Sequence, residues 1–400
     1  MALRANRGLL LTVLLVAGAA QADRGSAKFK LDLITEVRIF PEAPADPRQS
    51  DSTGSLAALG RFDYIWNSAR TSLVVSPFGR WDSGDRERTH ADLREFELRH
   101  RSGGLDVRAG VGRVFWGATE SVHLVDIINQ TDAVESVDGE DKLGQPLLSL
   151  AWTGRFGTVT GFLLPYFRER TLPDVRGRLR ARVPYDHDAA VYESSLGRQH
   201  PDAALRWSMS SGAMDIGVSH FAGTAREPRF ILRFEPPEPR LVPVYDLINQ
   251  TSLDLTMVRG SWVWKLEVLH QHNRVRDFGA AVGGFEYTVP TDAPDAMEVG
   301  LLAEYAWDTR DRRSPSPFQH DLFLAVRLSL NDIAGSEMLA GFMQDLQGSG
   351  AFVSVDASRR LGSAGRLALK LRVFAEPSSR DPLEALGRDD HLVMEYTHHF

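Results

Sequence analysis

Cysteine is absent from the 400-residue sequence, so neither a disulfide framework nor a thiolate metal site can form. Long apolar runs are absent too. Beyond residues 9–20 no stretch of about 18 apolar residues occurs, which leaves no transmembrane helix in the rest of the chain. Positive charge is in short supply: 46 Lys and Arg stand against 53 Asp and Glu, a balance that argues against a nucleic acid as partner. With 43% apolar and 25% charged residues the composition is globular, which excludes a disordered or collagenous chain. If the chain enters a bilayer, strands must carry it.

What is present begins with Arg4 and Arg7 ahead of the apolar run Leu9 to Ala20, which closes on Ala20-Gln21-Ala22. A basic flank, a short apolar centre and a small-x-small site together predict a secretory signal peptide over residues 1–22 and a single mature domain over 23–400. The apolar run is too short for a membrane anchor. Cleavage leaves 44 basic against 53 acidic side chains, a formal charge of −9.

The stretch from Asp92 to Asp132 shows how the mature chain is built. Between 105 and 115 the odd positions carry Leu105, Val107, Ala109, Val111, Arg113 and Phe115, while the even ones include Asp106, Arg108, Gly110 and Gly112. Apolar residues alternating with polar or bare ones have the period of a strand. The alternation recurs over 28–40, 59–67, 71–80, 90–101, 105–115, 146–153, 158–167, 202–210, 214–221 and 245–258. It continues over 261–271, 278–289, 297–307, 321–331, 336–344, 349–361, 365–375 and 391–400, which makes 18 candidate strands, with 16 as the alternative count. Most are near the roughly 9 to 11 residues a tilted strand needs to cross a bilayer. Phe62, Tyr64 and Trp66 end one apolar face, at the depth where membrane interfaces select aromatic rings.

Connections alternate as well. Short links such as Ser102-Gly103-Gly104 and Arg259-Gly260 follow even-numbered strands, and long loops such as 117–145, 168–201 and 223–244 follow most odd ones. This segregation predicts an all-β fold: a transmembrane up-and-down antiparallel β-barrel with short periplasmic turns and long extracellular loops, in the outer membrane of a Gram-negative bacterium. Closure is required because each unpaired backbone group in hydrocarbon costs several kcal/mol. Tyr396 and Phe400 fall in the outward phase of the final strand, as a signal for the barrel assembly machinery would, with outer-membrane lipid as the surrounding partner. Arg61, Asp63, Arg108, Lys265, Glu267, Lys370 and Arg372 fall in the inward phase and predict a wet lumen of mixed charge.

Residues 117–145 carry Glu120, Asp126, Asp132, Glu135, Asp138, Glu140 and Asp141 against His123 and Lys142. Two readings stand side by side. One is a solvated extracellular loop; the other is a loop folded into the lumen, its carboxylates facing basic wall residues such as Arg108 across a constriction. The apolar group Val122, Leu124, Val125, Ile127 and Ile128 favours infolding. Asp126-Ile127-Ile128-Asn129-Gln130-Thr131 returns as Asp246-Leu247-Ile248-Asn249-Gln250-Thr251, but the flanks do not align, so no duplication is inferred. Asn129-Gln130 and its copy offer hydrogen bonds to a polar solute. Neither a catalytic nor a metal constellation emerges: His270-x-His272 has no adjacent acid, and Gly110-x-Gly112 lacks the third glycine and the helix of a dinucleotide site. No cofactor is expected, and the chain is not expected to be an enzyme.

Several segments resemble a large group of poorly characterised Gram-negative porin-like outer-membrane proteins. They are Asp92-Leu93-Arg94-Glu95, Gly112-Arg113, Trp116-Gly117, Asp126 to Asp132, Pro165, Phe167-Arg168-Glu169-Arg170-Thr171-Leu172-Pro173, Trp264-Lys265-Leu266-Glu267 and Asn331-Asp332, and they span most of the mature chain. One departure is that Ala118 and Thr119 separate Trp116-Gly117 from Glu120, where the group usually has a glutamate at once. The resemblance implies a barrel and a pore more than a ligand. The expected function is a porin-like channel for passive or weakly selective diffusion of small polar solutes. A transporter of an apolar small molecule or lipid is the alternative, and an outer-membrane hydrolase is third.

Overall fold

A computed structural model describes residues 25–400 apart from 236–237, 291–296, 312–313, 315 and 376–381. The signal peptide expected at 1–22 lies outside the described residues. The strands are β1 (Ser26–Ile39), β2 (Ser52–Trp66), β3 (Thr71–Asp82), β4 (His90–Ser102), β5 (Leu105–Gly112), β6 (Gln145–Gly154), β7 (Gly157–Leu164), β8 (Val191–Tyr192), β9 (Asp202–Ser211) and β10 (Met214–Thr224). They continue as β11 (Arg229–Glu235), β12 (Glu238–Tyr245), β13 (Leu247–Arg259), β14 (Trp262–Asn273), β15 (Asp277–Thr288) and β16 (Glu298–Asp308), followed by β17 (His320–Ser329), β18 (Glu337–Asp345), β19 (Ala351–Leu361), β20 (Gly365–Ala375) and β21 (His391–His399).

Eighteen of these form one antiparallel sheet in which β1 pairs with β2 on one side and β21 on the other, closing the barrel. Closure leaves no edge of unpaired backbone groups for hydrocarbon to meet. Each of the 18 expected strands coincides with one barrel strand. The small sheet of β8, β11 and β12 was not expected, because it lies inside stretches that read as irregular loops. Several boundaries also differ. Strand β2 starts at Ser52, since Ser52-Thr53-Gly54-Ser55 has no apolar alternation yet pairs with the upper end of β1, and β5 stops at Gly112, three residues early.

The outer face follows the alternation: Phe29, Leu33, Val37 and Ile39 are exposed on β1 while Glu36 is buried. Aromatic rings gather at the short-turn end, where Trp262, Trp264, Phe285 and Tyr287 pack with centroids 4.5 to 5.7 Å apart, at the depth that suits amphipathic rings. Tyr396 and Phe400 are exposed on the same face. The inner face is not uniformly wet, contrary to expectation. Phe162, Leu164, Phe221 and Ile248 form one apolar patch and Leu302, Phe323, Ala325 and Met343 another.

The ladder between β3 and β4 is interrupted once. Ser76 pairs with Glu95 but Pro77 with Leu93, so Arg94 is the extra residue of a bulge. Proline has no N–H for the ladder, and the bulge absorbs that gap. Arg94 and Glu97 both end up buried on the lumen side.

Candidate functional site

The chain leaves the wall after Gly112 and returns at Gln145. A Cβ at Gly110, whose φ is +131°, would run into the carbonyl oxygen of Phe96, so glycine is what permits the backbone to turn there. Residues 113–144 then cross the lumen. Their apolar group settles on the apolar patches of the inner wall. Val125, Ile127 and Ile128 pack with Trp116, Phe162, Phe221 and Ile248; Leu124 meets Leu269 and Phe278; Val122 meets Leu302 and Phe323.

At the β14–β17 side the wall offers carboxylates. Glu267, fully buried, accepts hydrogen bonds from the amides of Ala118 (2.7 Å), Thr119 (3.1 Å) and Val125 (3.1 Å) and from the Thr119 hydroxyl (2.8 Å). Glu304 accepts from the amides of Glu120 (2.9 Å) and Ser121 (2.8 Å) and from the Ser121 hydroxyl (2.7 Å). Glu120 in turn meets Arg327 at 2.8 Å and Lys265 at 3.7 Å.

At the opposite side the wall offers cations. Arg94 reaches Asp132 at 2.6 Å, Arg80 reaches Glu135 at 2.8 Å and Arg372 reaches Asp138 at 3.4 Å. Arg38 donates to the Glu135 carbonyl oxygen (2.7 Å) and Arg88 to that of Val134 (3.0 Å). Burial alone would raise the Asp132 carboxyl, but His90, Arg94 and Thr171 hold it down to about 2. Burial would lower His123, and Glu140 with Glu267 instead push it up to about 10, so the imidazole is a cation at neutral pH.

Several expected site residues take other parts. Arg108 bonds Glu97 (2.5 Å), diagonal to it on β4, and not a loop carboxylate; its direct partner across the ladder is Arg99. Arg61 pairs with Asp63 (3.0 Å) and Glu95 (2.6 Å), away from the loop. Asp126 stays within the loop, with Lys142 at 3.2 Å. Asn129 lines the vestibule but is nearly fully buried, and its polar atoms are engaged: its oxygen accepts from the Val114 amide and its nitrogen donates to the Gly112 and Leu143 carbonyls, tying the start and finish of the loop together. The copy at 249–250 lies in a strand, where Asn249 is exposed and Gln250 is buried beside Ser252 (3.1 Å). Lys370 and Arg372 line a cavity below the loop. Sequence reasoning missed Glu304, Arg38, Arg80, Arg94 and Arg327 as contacts of the loop. Inward phase was legible for Glu304, but no local pattern reveals a partner in another strand.

His90, Asp132 and Glu135 bring an imidazole and two carboxylates close enough for one cation. Arg94 and Arg80 already hold those carboxylates, so guanidinium charge fills the place a metal would take.

Two cavities flank the loop. A vestibule of about 660 Å³ toward the long loops is lined by Leu124, Ile127, Leu269, Phe278, Phe318, Phe352 and Phe374 together with Arg170, Arg226 and Arg310. A second, of about 250 Å³, is lined by Arg38, Arg80, Arg94, Arg113, Lys370 and Arg372 facing Glu36, Glu135, Asp141 and Glu395.

A closed 18-stranded antiparallel barrel with a segment pinned across its bore defines the architectural class. No family model matches the sequence, and no curated protein matches it. Among solved structures the chain is similar to a BenF-like porin from Pseudomonas fluorescens Pf-5, at 9% identity and a TM-score of 0.55 over 94% of this chain and 98% of that one. It is also similar to OpdQ of Pseudomonas aeruginosa, at 10% identity and a TM-score of 0.51 over 94% and 98%. Identity this low carries the fold, an outer-membrane-type barrel, and nothing finer.

Proposed function

We propose that the protein is a porin-like channel of the Gram-negative outer membrane through which small polar solutes diffuse past the loop 113–144. The observation that carries this reading is the loop itself, fastened to both walls and flanked by a cavity on each side. A segment held by buried carboxylates and guanidiniums narrows the bore without being free to leave it. Below the loop, Arg113 and Lys370 make no ion pair among the described residues, and neither do Asp141 and Glu395. Free charges of both signs suit small dipolar or hydrated solutes better than one ion. Tyr396 and Phe400, exposed at the closing strand, serve the assembly machinery in this reading, and no catalytic step is assigned.

A second reading, carriage of an apolar molecule, is favoured by one observation: Phe278, Phe318, Phe352 and Phe374 make one side of the vestibule greasy. Single-channel recording in planar bilayers separates the two. Steady ohmic conductance supports the channel; a folded barrel that conducts no ions and retains an apolar molecule supports the second.

A further inference from the structure

The outer face of the barrel departs from its apolar pattern across β10, β13, β14 and β15. Climbing from the short-turn end, the outward positions are Met257, Leu255 and Leu253 on β13, Trp262, Trp264, Leu266 and Val268 on β14, and Tyr287, Phe285 and Ala281 on β15, as lipid contact requires. The next two outward rows are polar. Thr251 and His270 are register partners, Asn249, His272 and Asp277 form the row above, and His220 of β10 sits on the other side of Thr251. All six of these side chains are exposed. Nδ1 of His220 lies 2.9 Å from the Thr251 hydroxyl and Nδ1 of His272 lies 2.5 Å from Asp277, so Nε2 of each is left without a protein partner among the described residues. His270 has no hydrogen-bond partner among the described residues. The turn above carries Arg274, paired with Glu193 at 2.9 Å, whereas Arg276 has the inward phase of β15 and lines the vestibule.

Height decides what can fit there. A strand tilted by about 45° climbs roughly 2.4 Å along the membrane normal per residue, which puts His270 and His272 about 19 and 24 Å above Trp262. The apolar band of such barrels is about 25 Å tall, so the polar rows begin where hydrocarbon gives way to headgroups. The strip is not a feature of the whole rim. At other strands Ile39, Leu56, Trp81, Leu148 and Leu163 are exposed and apolar. Nor does it continue downward, where the face is ordinary lipid-contacting surface; an interface with a second barrel would have to alter that surface too.

We propose that this strip docks an anionic, phosphate-bearing lipid headgroup of the leaflet on the long-loop side. Nε2 of His220 and of His270 donate to its phosphate, while Asp277, the one acid in the strip, is occupied by His272.

The test uses the full-length mature chain, refolded into phosphatidylcholine nanodiscs with or without lipid A as the phosphate-bearing probe, and native mass spectrometry of the lipid that stays bound. Replacing His220, His270 and His272 together by Leu is expected to lower retained lipid A at least tenfold, with phosphatidylcholine retention and the gel migration of the folded barrel unchanged. Equal retention by both proteins overturns the proposal, as does equal retention of lipid A stripped of its phosphates. Should the triple variant not fold, His270→Leu alone is expected to lower retention about threefold, and no change overturns it. A wild-type oligomer that binds no lipid A and falls apart in the triple variant also overturns it, because a second copy would then cover the strip.

Discussion

The two ends of the lumen-crossing loop are held by opposite chemistry. On the β14–β17 side, apart from Arg327 and Lys265 meeting Glu120, the wall brings carboxylates and the loop answers with backbone amides and hydroxyls. On the side of β1, β3, β4 and β20 the wall brings guanidiniums and the loop answers with carboxylates. The first end depends on loop shape, since every non-proline residue has an N–H to give. The second depends on loop side chains, and Asp132, Glu135 and Asp138 must be acidic. A segment held both ways has its path fixed at one end and its charge fixed at the other.

The comparison can be broken most severely at the amide end. Glu267→Ala leaves three amides and a hydroxyl without their acceptor, at about 1–3 kcal/mol for each buried bond left unmade. Conductance in planar bilayers should at least double, and the loop should become cleavable by added protease. Unchanged conductance and protection would mean that the amide end is dispensable. Arg94→Ala comes next. It strands a buried carboxylate, which costs about 3–5 kcal/mol in general, but His90 and Thr171 still face Asp132 and soften the loss. A conductance increase smaller than that of Glu267→Ala is expected, and a larger one would reverse the ranking of the two ends.

Acidity separates the ends without mutation. Asp132 is lowered from 3.8 to about 2 in the folded protein, so its contribution is present above pH 3.8 and lost as pH falls through 2. His123 is raised from 6.5 to about 10, so its contribution is present below pH 6.5 and lost as pH rises through 10. Acid should therefore loosen the guanidinium end and alkali the carboxylate end. Protease accessibility of the loop followed across pH should rise at both extremes, and the alkaline rise should be missing in His123→Gln. The smallest effect belongs to Lys265→Gln. Glu120 keeps Arg327, so stability should change by under about 1 kcal/mol, with only a modest shift of reversal potential toward cations. A collapse of conductance in that variant would make Lys265 far more central than its 3.7 Å contact implies.

The strands were legible because a two-residue period is written wherever one face meets lipid. Trp262, Trp264, Leu266 and Val268 reveal β14 from four letters and their spacing. The start of β2 escaped because Ser52, Thr53, Gly54 and Ser55 carry no such contrast. Infolding of the loop was half legible, in Val122 to Ile128, whose apolar side chains pack against Phe162, Leu269 and Phe323. Arg108 was misjudged because its polar phase says only that it faces inward, and Glu97 on the adjacent strand was nearer than any loop acid. The bonds of Asn129 were not legible because a side-chain amide that can serve a solute can equally staple its own loop.

Alternation and turn lengths by themselves pointed to an antiparallel barrel of 18 strands or 16, since each is a property of neighbours along the chain, and the closed sheet decided for 18. Which inward carboxylate catches which amide was decided only by the tertiary structure. Glu267 and Thr119 are 148 positions apart, and nothing short of the closed wall sets them 2.8 Å from each other.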